Sequence, residues 1–265
     1  MKSVYFTTLS AFTLAISLAG CSIGVGGPTR PDDPGPAPAP ALSSDAGEAG
    51  ELYVEARARL EKGHFDDAVL RYENLEATYP FGEHAAQARL DVAYAYYQKE
   101  EHDNSVATLD RYLKLYPQSE QSDYAYYLKG LVNFSRGKSF FERFVPRKID
   151  QLDQAWLRAS VADFETIERR YPESKFVEDA AARKLELIDH MARHELNTAK
   201  YYFSRSAMVA VINRVNTMLE QFPDSSLNPE GLELLARAHR ALGNQKSADE
   251  ATALLQKRHP DFGNI

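Results

Sequence analysis

The chain has 265 residues, 44% apolar and 26% charged, with a formal net charge of −7. That is length for one large or two small folded units, and ordinary Gly (14) and Pro (13) contents exclude collagen and wholesale disorder. The acidic balance argues against nucleic acid as a partner, and the single cysteine excludes an intrachain disulfide or a cysteine-based zinc site.

Lys2 gives a short positive start, and the stretch from 4 to 18 is apolar with Ser and Thr interspersed, about the length of a secretory h-region. It ends in Leu18-Ala19-Gly20-Cys21, which resembles the bacterial lipobox. The resemblance implies a signal peptide over 1–20, cleavage before Cys21, a diacylglycerol on its thiol and an acyl chain on its new amino group. One acyl chain binds a membrane marginally, whereas several anchor it stably, at about 0.8 kcal/mol per buried CH₂. Ser22, where an Asp would retain such a protein at the inner membrane, resembles an outer-membrane sorting signal. Residues 21–50 then read as the lipidated cysteine and a tether, with six prolines and six glycines and no hydrophobic period. Extended at ~3.1 Å per residue, such a tether reaches at most about 90 Å.

From residue 51 the chain repeats itself. Tyr79-Pro80, Tyr116-Pro117, Tyr171-Pro172, Phe222-Pro223 and His259-Pro260 recur at spacings of 37, 55, 51 and 37. Ahead of the first four prolines runs one apolar pattern: Val69, Tyr72, Leu75 and Tyr79; Val106, Leu109, Tyr112 and Tyr116; Val161, Phe164, Ile167 and Tyr171; Ile212, Val215, Met218 and Phe222. Steps of three and four residues put each set on one helical face, and the proline ends the helix by forcing the residue before it out of the α region. Ser119, Ser174 and Ser225, two residues past three of these prolines, are expected to cap the next helix.

A second helix precedes each of these. Small residues mark where the pairs touch: Ala56 with Ala68, Ala93 with Ser105, Ala236 with Ala248. The expected turns carry Gly63, His102-Asp103-Asn104 and Gly243-Asn244. This pattern resembles the tetratricopeptide repeat. The fold class expected is all-α, a right-handed solenoid of five such helix–turn–helix repeats (51–80, 81–117, 118–172, 173–223, 224–260) within a folded body of 51–265. The third repeat carries 18 residues beyond the 37-residue period, placed between its helices near Lys138 to Asp153. The fourth carries 14, close to four helical turns, and no breaker occurs between Val177 and Tyr202, which predicts one long helix of about 25–29 residues there. The fifth repeat's matching positions, Asp249, Thr252, Leu255 and His259, suit a terminal cap with a polar outer face.

Residues able to do chemistry are few. His190 and His194 stand four apart on a helix, but the zinc-protease order is absent and no third ligand is evident. Gly137-Lys138-Ser139 lacks the first glycine of a phosphate loop, since position 132 is Val, and there is no Gly-x-Ser-x-Gly elbow. The chain therefore reads as a binding protein and not an enzyme, with no cofactor beyond the covalent lipid on Cys21. The clusters Tyr94, Tyr96, Tyr97 and Tyr124, Tyr126, Tyr127 cannot all point one way on a helix, so some are core and some line a face.

Four segments then carry a resemblance to the BamD (YfiO/ComL) family of outer-membrane lipoproteins. They are Tyr79-Pro80-Phe81-Gly82; Arg89-Leu90-Asp91-Val92-Ala93-Tyr94-Ala95-Tyr96-Tyr97; Asp123 to Tyr127 with Lys129-Gly130-Leu131; and Tyr201 to Arg205 with Val209 to Val215. The resemblance implies a subunit of the β-barrel assembly (BAM) complex on the periplasmic face of the outer membrane. Its C-terminal repeats would bind the POTRA region of a BamA-like barrel protein near Arg205, Asn213 and Arg214, beside other lipoproteins such as BamC. Its N-terminal repeats, with Tyr79, Phe81, Tyr94 and Tyr97, would receive unfolded outer-membrane proteins. Read without the family, Arg214 is a solvent-facing member of a surface ion pair, and Tyr79 and Phe81 are inter-repeat packing. A rival reading is a scaffolding lipoprotein that links the outer membrane to peptidoglycan or to a secretin or pilus system.

Overall fold

The computed structural model describes residues 33–39, 47–81, 83–136 and 154–262. The lipobox Leu18, Ala19, Gly20 and Cys21, the Gly137-Lys138-Ser139 motif and the insertion near Lys138 to Asp153 lie outside them. Among the described residues there are ten helices and no strand. They are α1 (Gly47–Glu61), α2 (Phe65–Thr78), α3 (Glu83–Gln98), α4 (His102–Leu115), α5 (Ser122–Ser135), α6 (Gln154–Arg170), α7 (Val177–Ser204), α8 (Met208–Gln221), α9 (Asn228–Ala241) and α10 (Gln245–Arg258). Each helix packs on the next, and the first helices of neighbouring pairs also touch, α1 on α3, α3 on α5 and α7 on α9. This is a tetratricopeptide-like helical solenoid.

The proline stops act as the sequence dictates. Tyr79, Tyr116, Phe222 and His259 end their helices with φ between −125° and −138° and ψ between 57° and 70°. Their N–H groups still donate four residues back, to Leu75, Tyr112, Met218 and Leu255, at 2.8–2.9 Å. Both dihedrals have left the helical region for a more extended conformation, which is what a following pyrrolidine ring requires. On the faces ahead of them, Tyr72, Leu75, Leu109, Tyr112, Phe164, Ile167, Val215 and Met218 are at most 1% exposed.

The helix pairs close over small residues. Ser105 Oγ donates to the Ala93 carbonyl at 2.8 Å, and Ser160 Oγ donates to the Gly130 carbonyl at 2.8 Å. The two contacts are equivalent, with residue separations of 12 and 30 that differ by the 18 residues extra in the third repeat. A Cβ on Gly130 would stand 2.5 Å from the Phe164 ring, so only glycine lets α5 and α6 approach this closely. The fourth repeat's surplus lies inside α7, an unbroken helix of 28 residues. In α10 only Ala248 and Ala251 are buried, while Asp249 is exposed and Thr252, Leu255 and His259 are partly so.

Four expectations need correction. Ser119, Ser174 and Ser225 do not cap helices; the residues preceding the helices are Gln121, Phe176 and Leu227, without side-chain caps. Each serine hydroxyl instead accepts the N–H two residues on, at 3.1–3.2 Å, and holds a short turn that precedes the helix. The turn of the second repeat is not His102-Asp103-Asn104, which opens α4, but lies earlier, with Glu100 at φ 62°. The first helix starts at Gly47, inside the stretch assigned to the tether, because Glu48 favours the helix N-terminus and Gly50 is buried. Finally, residues 33–39 of the tether are docked on the solenoid, with Ala37 0% exposed.

Candidate functional site

The docked segment lies against the first helices of three repeats. Tyr94 of α3 donates its hydroxyl to Asp33 Oδ2 at 2.8 Å, and Tyr124 of α5 donates to the Gly35 carbonyl at 2.8 Å. Arg57 Nη1 of α1 donates to the Ala37 carbonyl at 2.9 Å, and Gln121 Nε2, just ahead of α5, donates to the Pro38 carbonyl at 3.1 Å. Asp33 Oδ1 accepts the Gly35 N–H at 3.0 Å, which folds the segment's start into an Asx turn with Gly35 at φ 70°. Burial, and then the neighbouring Asp33 carboxylate, hold the Tyr94 phenol well above the ordinary range. Burial does the same to Tyr124. Both therefore stay protonated and stay donors.

Beneath the segment sits a buried ionic network. Asp91, fully enclosed in α3, accepts from Tyr53 Oη at 2.9 Å, Tyr72 Oη at 2.8 Å and Gln87 Nε2 at 3.3 Å, and pairs with Arg57 at 3.1 Å. Burial pushes the Asp91 carboxyl up, against the opposing pull of Arg57 and of the tyrosine hydrogen bonds. Arg57 thus faces two ways, into the network through Asp91 and out to the segment through the Ala37 carbonyl. A charge this deep requires such partners. The network fixes the Arg57 guanidinium where it meets the segment.

Of the four N-terminal candidates, Tyr94 and Tyr97 are 6% and 3% exposed, so they belong to the core, with the Tyr94 hydroxyl at the groove floor. Tyr79 is half-buried and donates to Glu48 at 2.7 Å. Phe81 is 91% exposed. The structure does not gather these four into one groove, because Tyr94 and Tyr97 share the packed side of α3 while Phe81 stands in solvent beyond α2. Arg57, Gln121 and Asp91 are the groove residues missed by sequence reasoning. Their signals were an aspartate inside the apolar run Leu90-Asp91-Val92-Ala93 and an arginine four residues after a tyrosine on a buried face.

At the other end, Arg205 closes α7 and is exposed, its guanidinium 4.6 Å from the centre of the Tyr201 ring. Tyr201 and Val209 are 53% and 62% exposed, and Asn213, one turn beyond Val209 on α8, is exposed too. Arg214 turns back to α7 and donates to Glu195 at 3.2 Å. Part of its charge is therefore used inside the solenoid. Among the described residues no cluster of three or more His, Cys, Asp or Glu could hold a metal, and His190 stands 3.5 Å from Glu186. Among them, too, no helix is long and apolar enough to cross a membrane.

The family model described as "YfiO: Outer membrane lipoprotein" matches residues 45–254. A relative from Neisseria meningitidis serogroup A, named outer membrane protein assembly factor BamD, is 34% identical over 79% of this chain and 79% of its own length. One of the same name from Xylella fastidiosa strain Temecula1 is 35% identical over 79% of this chain and 72% of its own. Another, from Vibrio cholerae, is 32% identical over 78% and 86% respectively. The match runs from the start of α1 into α10, across every helix pair described above, and the chain belongs to the YfiO family of outer-membrane lipoproteins.

Proposed function

We propose that the chain is an outer-membrane protein assembly factor, anchored by lipid on Cys21 to the periplasmic face of the outer membrane as a subunit of a BAM complex. It carries out no chemistry and works by holding two partners. The inner face of the N-terminal repeats takes an extended stretch of an unfolded outer-membrane protein. The exposed surface of Tyr201, Arg205, Val209 and Asn213 takes the POTRA region of a BamA-like barrel protein, with BamC-like lipoproteins alongside. One observation carries the reading: the groove beside α1, α3 and α5 grips residues 33–39 through three backbone carbonyls and one carboxylate. Recognition through backbone carbonyls depends little on side chains except where one is enclosed, as Ala37 is, and that suits a factor serving many different barrel proteins.

The partner face is tested by pull-down from detergent-solubilised outer membrane with the lipidated protein. Arg214→Glu is the wrong variant, because it would set a second carboxylate against Glu195. Arg205→Glu leaves the described ion pairs intact. Wild type is expected to bring down a barrel protein with POTRA repeats, and Arg205→Glu at least tenfold less of it. Equal recovery would remove the assignment of this face. Recovery of cell-wall or pilus components without a barrel protein would replace the reading with the scaffolding one.

A further inference from the structure

The four solenoid groups that hold residues 33–39 are all donors: two phenols, a guanidinium nitrogen and an amide nitrogen. The segment presents only acceptors to them, one carboxylate and three backbone carbonyls. Its sequence, Asp33-Pro34-Gly35-Pro36-Ala37-Pro38-Ala39, is suited to this. Prolines at 34, 36 and 38 have no N–H, so the segment can lie on a donor-lined floor without leaving those groups unpaired. The Gly35 N–H is satisfied within the segment by Asp33 Oδ1. Ala37 is 0% exposed and packs into the solenoid core, where a longer side chain has no room.

The geometry points to a peptide-binding site on the inner face of the first three repeats, which takes a proline-alternating segment with a carboxylate four residues ahead of a buried alanine, and which the chain's own residues 33–39 fill in cis. This deepens the proposed function and rests on it for the identity of the competitor. An incoming strand of an unfolded barrel protein has to displace the cis segment, so affinity in trans is set by the difference between the two. Docking also shortens the tether. The chain between Cys21 and Asp33 reaches at most about 35 Å at ~3.1 Å per residue, against about 80 Å undocked, measured to the start of α1. Occupancy therefore governs how far the N-terminal repeats stand from the lipid.

The test uses full-length protein in detergent and a fluorescein-labelled peptide with the sequence of residues 31–41, followed by anisotropy. Ala37→Arg expels the cis segment, and circular dichroism checks that the helices are unchanged. The peptide is expected to bind Ala37→Arg at least tenfold more tightly than wild type. Adding Tyr124→Phe, which keeps the ring and removes the donor to the Gly35 carbonyl, is expected to weaken it at least fivefold. Equal binding to wild type and Ala37→Arg, or binding to neither, overturns the cis site. Unfolded barrel protein is then added as competitor. If it displaces the peptide, the site and its proposed substrate both stand. If the peptide binds as expected and is not displaced, the cis site stands and the substrate assignment of the N-terminal groove falls. If barrel protein binds both proteins equally while the peptide binds neither, the cis site falls and the assembly reading stands.

Discussion

Four turns place a residue in the left-handed region two positions before the second helix of a pair: Gly63 and Gly243 at φ 75°, Glu100 at φ 62° and Ser206 at φ 57°. The same bend is thus made with glycine twice and with a strained side chain twice. An L residue in this region costs roughly 1–2 kcal/mol, and glycine avoids it at the expense of a more flexible unfolded chain. Ser206 is exposed, so Ser206→Gly is expected to raise stability by about 0.5–1 kcal/mol and Gly63→Ala to lower it by about 1 kcal/mol, both read from urea denaturation. Asp163 gives the pH dependence. Burial, against the pull of Lys129 and Asn133, pushes its pKa up to about 6. An unfolded aspartate titrates near ~4, so the stability that protonated Asp163 contributes is complete below that pH and lost as pH rises through about 6. Thermal denaturation from pH 4 to 7 is expected to show wild type losing stability relative to Asp163→Asn across that window. At this scale the sequence was legible where a residue type has one use, as with glycine in a turn. It was illegible for the tyrosines, because a phenol serves a core and a groove floor equally well.

Helices were the most legible elements, since each carries its own period and its own stop. The length of α7 followed from counting residues between breakers, because fourteen extra residues keep the apolar face in phase. Cap positions failed because serine can hold a turn as well as a helix end, and the pattern around it is the same in both cases. At Gly130 α5 lies so close to α6 that a Cβ would meet Phe164 Cε1 at 2.5 Å. Gly130→Ala is expected to cost about 1–3 kcal/mol through overpacking, despite alanine's better helix propensity. A control at Gly243 separates the two effects. Nothing lies within 4 Å of a Cβ there, so its alanine variant is penalised by backbone conformation alone. Urea denaturation of the two variants distinguishes steric from conformational loss if a second, compensating change, Phe164→Leu, rescues Gly130→Ala and leaves Gly243→Ala unaffected.

The molecule as a whole is held by neighbours. Among the described residues, helices pack mainly on the next in sequence, or on the next but one along the inner face, and the packing runs from neighbour to neighbour. The docked tether was invisible in the sequence for the same reason that it docks: three of its four hydrogen bonds to the solenoid are accepted by backbone carbonyls, which every residue has. The candidate surface at Arg205 was partly legible through the family resemblance, but the pairing of Arg214 with Glu195 required the fold. A chain organised by neighbours unfolds by neighbours. Ending the chain after Asn244 removes α10 and bares the side of α9 against which it packs. Hydrogen exchange followed by mass spectrometry is then expected to show protection falling in α9 first and in α8 less, with α1 to α4 unchanged. The Arg57–Asp91 network and the docked segment lie in those first repeats, so the N-terminal groove should keep its occupant while the C-terminal face frays. Loss of protection in α1 to α4 on the same truncation would mean that the solenoid unfolds as one cooperative unit, and that binding at one end is felt at the other.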